Sequence, residues 1–116
     1  MDQKKIIGIA KEYIKVLQKD YFIYNAFLFG SYAKKTSHRD SDIDIAVVIK
    51  SKKDTYDLNL ELMKLRRDID LRIEPHAFLK KDFNETDPLA HEILKYGIRL
   101  DYPKHDFEFM EYGEKL

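Results

Sequence analysis

Apolar positions along this chain switch between helical and strand-like spacing. In residues 3–18, Ile6, Ile9, Ala10, Tyr13, Ile14 and Leu17 recur on one helical face, and Lys4, Lys5, Lys11, Glu12 and Lys15 fall largely elsewhere. Asp2 is a candidate N-cap, and Lys19-Asp20 closes the segment. Tyr21 to Asn25 leads into a short apolar run at 26–29 that stops at Gly30-Ser31. A second run covers 45–49. Both are short, aromatic or β-branched and bounded by polar clusters, which predicts two strands. The Tyr21-Phe22-Ile23-Tyr24 aromatics read as core packing rather than a base-stacking platform.

A polar loop from Lys50 to Asp54 follows, its lysines read as a solvated turn. Residues 55–67 then form a predicted helix, with Leu58, Leu62 and Leu65 on one face and Leu60 and Met63 beside it. Residues 68–75 alternate. Ile69, Leu71 and Ile73 face one way, and Asp70, Arg72 and Glu74 the other, so a half-buried strand is predicted, with Pro75 ending it. Residues 76–86 read as a loop. Asp87 as N-cap, Pro88 at the first helical position and Gly97 past the end predict a helix over 89–96. Residues 98–102 suit a final edge strand before Pro103. The order implies an α/β domain with a small mixed sheet flanked by helices. A single domain spans residues 1–116, with its core at 20–102 and a tail at 103–116. The tail's Phe107, Phe109, Met110 and Tyr112 suit docking on this sheet or on another protein, and both options stay open.

Composition narrows the function. Lys plus Arg equals Asp plus Glu, 21 each, so the basic excess of a general nucleic-acid binder is absent. No cysteine is present for a disulfide, a thiolate nucleophile or a thiolate-bound zinc. The N-terminus lacks the apolar core of a signal peptide, and no apolar run approaches the ~20 residues of a membrane span. A soluble cytoplasmic protein without a membrane partner is expected. His38, His76, His91 and His105 show no metal-ligand spacing and read as surface or satisfied histidines.

The chemistry concentrates in LFGSYAKKTSHRDSDIDIAVVI, residues 28–49. Side chains alternate along a strand, so Asp42 and Asp44 share a face. Paired carboxylates raise each other's pKa unless a cation relieves them, and hard oxygen ligands point to magnesium or manganese. Gly30 lets a ligand approach its backbone closely. Ser31 suits an N-cap, and a short turn over 31–35 offers free N–H groups to a phosphate. Lys34, Lys35, His38 and Arg39 add positive charge. A phosphate cradle beside two carboxylates fits metal-dependent phosphoryl or nucleotidyl transfer.

Gly-Ser, ten residues, then Asp-x-Asp resembles the signature of the minimal nucleotidyltransferases of the DNA polymerase β-like superfamily. The resemblance covers roughly residues 20–102. It implies the nucleotidyltransferase fold and a third carboxylate on the next strand. Asp68, Asp70 and Glu74 are the candidates, and Asp70, set between Ile69 and Leu71 on the polar face, is chosen. The implied catalytic and metal-binding set is Asp42, Asp44 and Asp70, holding two Mg2+ ions, with Asp70 taking the proton of the attacking hydroxyl. Gly30, Ser31, Lys34 and Arg39 would bind the nucleotide. Tyr32 stands where relatives often have arginine, and Lys35 where they often have glycine, which leaves Lys34 or Arg39 to replace those triphosphate contacts.

After the fold little chain is left to hold an acceptor. The resemblance then implies an antitoxin acting as a protein adenylyltransferase, moving AMP from ATP to a tyrosine of a cognate HEPN-domain ribonuclease toxin. Two alternatives are a non-catalytic module that neutralises its partner by binding, and a small-molecule nucleotidyltransferase whose acceptor pocket is completed by a dimer.

Overall fold

The computed structural model describes residues 3–100. Helix α1 (Gln3–Leu17) leads into strand β1 (Phe22–Phe29), a one-turn helix α2 (Ser31–Lys34) and strand β2 (Ile43–Lys50). Helix α3 (Thr55–Leu65), strand β3 (Ile73–Leu79), helix α4 (Pro88–Tyr96) and the two-residue strand β4 (Ile98–Arg99) complete the order. The expected N-cap Asp2, the end of the last strand and the aromatic tail lie outside the described residues. The sheet order is β3-β2-β1-β4. The β1–β2 and β1–β4 pairs are antiparallel, and β2–β3 is parallel. The sheet is therefore mixed, as the sequence implied.

Alternation along the strands gives the sheet two different faces. Ile43, Ile45, Val47 and Ile49 of β2 turn to the larger core, where Ile6, Ala10, Tyr13, Ile14 and Leu17 of α1 and Leu58 and Leu62 of α3 meet them. Tyr13 is fully buried, and its hydroxyl donates to the Leu62 carbonyl at 2.5 Å, tying α1 to α3. Burial pushes its phenol pKa far up, so it stays neutral as a donor. The opposite face carries Phe27, Phe29, Ala46, Val48 and Phe78, covered by Phe83 and by Ala90 and Ile93 of α4. Asp44, Glu74 and His76 belong to this second face by the same alternation.

The helix ends follow their caps. Asp54 accepts from the Asp57 N–H, and Asp87 from the N–H groups of Leu89 and Ala90. The expected helix over 55–67 is α at Thr55–Leu65 and tightens to a 3-10 turn at Arg66–Asp68.

Strand β3 departs from the expected 68–75. It begins at Ile73 and continues through Pro75 to Leu79. Pro75 does not end it, because among the described residues β3 is an edge strand paired only with β2. Residues 75 and 77 share one backbone orientation. The Ala77 N–H is taken by Asn59 Oδ1 of α3 at 2.9 Å, outside the ladder, and proline at 75 has no N–H to satisfy. The residues before Ile73 form a turn instead. Ile69 and Asp70 donate their N–H groups to the Arg66 carbonyl, and the Arg72 carbonyl accepts from Ile43 N–H at the start of β2.

Candidate metal centre

Strand pairing places the acidic residues. Asp44 is opposite Glu74 in the parallel β2–β3 register, and Phe29 at the end of β1 is opposite Asp44 on the other side. Asp42 immediately precedes β2, and its carboxyl shares a hydrogen bond with Glu74. One side-chain ligand atom from each of Asp44, Glu74 and His76 lies within 4.8 Å of the others. The Glu74 pKa is raised, first by partial burial, then by the Asp42 hydrogen bond and the negative charges of Asp42 and Asp44. A cation would relieve the repulsion among these carboxylates, and Asp44, Glu74 and His76 fit a divalent metal ion by donor type and spacing.

Asp42 and Asp44 both lie beside Glu74. The third carboxylate beside them is Glu74, and not the chosen Asp70. Asp70 lies in the turn before β3, where Arg72 Nε and Nη2 bind its two oxygens at 3.0 and 2.8 Å and the Arg72 N–H donates at 2.9 Å. The Arg72 side-chain hydrogen bond, above all, holds the Asp70 pKa below its ordinary value. The reason is local. An arginine two residues away closes a bidentate fork on Asp70 before the strand can form.

His76, read as a surface or satisfied histidine, is partly exposed but not satisfied at Nε2. Its Nε2 is shielded from solvent, has no hydrogen-bond partner among the described residues, and stands 3.5 Å from Asp44 Oδ1. Phe29 walls it edge-on, with ring centroids 4.9 Å apart. The available signal was Glu-x-His. Once Pro75 is allowed inside the strand, Glu74 and His76 share a face.

Gly30 lies against Asp44 of this cluster, and Ser31 follows it as the first residue of α2. Gly30 has φ +74°, and a Cβ there would overlap Asp44 Oδ2. Gly30, and not Ser31, occupies the N-cap position of α2, and no side chain caps the turn. Tyr32 is buried in the larger core and anchors α2 there, while Gln3 Nε2 donates to its carbonyl at 2.8 Å. Lys35 ends the turn in the left-handed region, φ 61°. Lys34 Nζ stands 3.5 Å from Glu92 Oε2 of α4 and 5.2 Å from the Tyr96 ring centroid. Both side chains of that pair are well exposed, so the pair costs little to give up. Arg39 is exposed in the loop before Asp42.

Comparison with known proteins gives the family. Residues 11–104 match the family described as "Polymerase beta, Nucleotidyltransferase". The protein adenylyltransferase MntA of Shewanella oneidensis is 39% identical over 108 residues, covering 93% of this chain and 70% of that protein. A toxin–antitoxin crystal structure with AMP-PNP superposes with TM-score 0.62 at 27% identity, over 89% of this chain and 82% of that one. A chain from a variant MntA–HpeT toxin–antitoxin complex gives TM-score 0.58 at 25% identity, over 96% and 82%. Among the described residues, no helix is long and apolar enough to cross a membrane.

Proposed function

Because the chain belongs to the polymerase β-type nucleotidyltransferase family, we propose that it transfers AMP from ATP to a partner toxin, as a protein adenylyltransferase antitoxin. The observation that carries this reading is the Asp42–Asp44–Glu74 cluster beside the Gly30-Ser31 turn, in a chain 39% identical to a protein adenylyltransferase. The acceptor we favour is a tyrosine hydroxyl of a HEPN-domain ribonuclease, and the domain that does this spans the whole chain.

Asp42 and Asp44 are the metal-holding pair in this reading, and Glu74 replaces Asp70 as the third carboxylate. When bound, two Mg2+ ions would offset charge on the phosphates and ease deprotonation of the attacking oxygen. Glu74, set beside Asp42 and Asp44, is placed to accept that proton. The Gly30 backbone and the Ser31 hydroxyl meet the triphosphate. Lys34, released from Glu92, and Arg39 supply positive charge to the departing pyrophosphate. The oxygen attacks the α-phosphate, the bond to the β-phosphate breaks, and AMP remains on the acceptor.

The test is transfer of label from α-labelled ATP to the protein encoded beside this gene. Transfer that needs Mg2+ and is lost in Asp42→Asn and Asp44→Asn supports the reading. Full protection from the toxin by the Asp42→Asn/Asp44→Asn double variant overturns it in favour of neutralisation by binding alone.

A further inference from the structure

The histidine in the cluster has no place in a site built for magnesium alone. His76 enters on the same face of β3 as Glu74, two residues on, and His76 pairs with Ala46 as Glu74 pairs with Asp44. Its Nε2 is hidden from solvent without a hydrogen-bond partner among the described residues. A buried imidazole nitrogen left unpaired costs free energy unless something else takes it. Asp44 Oδ1, at 3.5 Å, is too far for a good hydrogen bond and belongs to a residue of the cluster. Phe29 packs edge-on against the ring, which fixes the imidazole plane and excludes water from one side. Asp44, Glu74 and His76 each bring one ligand atom within 4.8 Å of the others, a spacing that a divalent ion spans.

We infer that His76 is a nitrogen ligand, and that Asp44, Glu74 and His76 form a mixed site preferring a borderline cation such as Mn2+ to Mg2+. This rests on the reading that the carboxylate cluster is the metal site. Magnesium prefers an all-oxygen shell, whereas imidazole suits first-row transition metals. The added nitrogen thus separates the two ions more strongly than carboxylates do. Neutral imidazole also adds affinity without adding negative charge to a site that already carries three carboxylates.

The experiment uses the tag-free full chain with Mn2+ and no nucleotide, so that no ligand nitrogen comes from elsewhere. Pulsed EPR should show 14N modulation from a directly bound nitrogen. His76→Gln should remove that modulation and weaken Mn2+ binding by about tenfold or more, while Mg2+ binding changes far less. A second variant, His38→Gln/His91→Gln/His105→Gln, keeps His76 as the single histidine and should retain the modulation. This guards against a poorly folded His76→Gln. Mn2+ bound without 14N coupling, or coupling that survives in folded His76→Gln, overturns the inference. Coupling lost in the triple variant overturns it too. An oxygen-only Mn2+ site still leaves the carboxylate cluster and AMP transfer standing, whereas label transfer that ignores Asp42→Asn removes the proposed function and leaves the EPR result intact.

Discussion

Asp44 leans over Gly30: a Cβ placed on that glycine would overlap Asp44 Oδ2 and stand 3.2 Å from its Cγ. The glycine is thus required by a carboxylate of the cluster as well as by its own backbone, φ 74° and ψ −150°. That backbone region is nearly closed to residues with a Cβ.

Gly30→Ala should therefore act twice. Strain at this backbone position costs about 1–3 kcal/mol, which lowers the melting temperature by several degrees. The Asp44 carboxylate must also shift, so label transfer should fall further than stability explains. Calorimetry beside a transfer assay checks both. A variant that melts like wild type with full activity would remove this account of Gly30.

Glu74 and Asp70 should separate cleanly. Glu74→Gln is expected to slow AMP transfer at least about a thousandfold, the scale of losing metal-assisted transition-state stabilisation. Asp70→Asn breaks a half-buried bidentate pair and should cost about 1 kcal/mol of stability, yet keep transfer within about tenfold of wild type. The opposite ranking would return the third carboxylate to Asp70.

The two residues also predict opposite pH behaviour in metal-free protein. The Glu74 pKa is raised in the folded state, so its contribution is most favourable below the ordinary glutamate value of 4.5 and is lost as pH rises through the folded value. Glu74→Gln should thus melt higher than wild type at neutral pH, with the gap closing on acidification. The Asp70 pKa is lowered, so its contribution is present above the ordinary 3.8 and is lost as pH falls through the folded value. Asp70→Asn should melt lower at neutral pH, and that gap also closes in acid. Melting curves from pH 3 upward, as a rough working range, decide the signs. Added Mn2+ should reverse the ranking of Glu74→Gln and wild type, because the cation relieves the repulsion only where the carboxylate remains.

Lys35 offers a gain. It ends α2 in the left-handed region at φ 61°, which costs a residue with a Cβ about 1 kcal/mol or more. Lys35→Gly should raise stability by about 1 kcal/mol and leave AMP transfer close to wild type. Destabilisation would mean that the lysine side chain makes a contact worth more than the strain.

What the sequence determined was local. The apolar spacing of Ile6, Ala10, Tyr13, Ile14 and Leu17 specified α1 and its buried face. Asp87, Pro88 and Gly97 marked α4 to within one residue, because caps act within one turn. The Gly-Ser and Asp-x-Asp motifs brought Gly30, Asp42 and Asp44 to one place, because a single turn and one antiparallel pair connect them. The third carboxylate was not local. Alternation in residues 68–75 assigned Asp70 and Glu74 to one face without saying where the strand began. That depended on one local contact and one tertiary fact. Arg72 captures Asp70 in a turn docked on β2, and the parallel register sets Glu74 against Asp44. Pro75 looked like a stop, because a central strand cannot spare the N–H. The edge position of β3, with Asn59 of α3 taking the outward Ala77 N–H, made it harmless and carried His76 into the cluster. A period of two fixes which side chains share a face, but only pairing with a neighbour decides which of them meet.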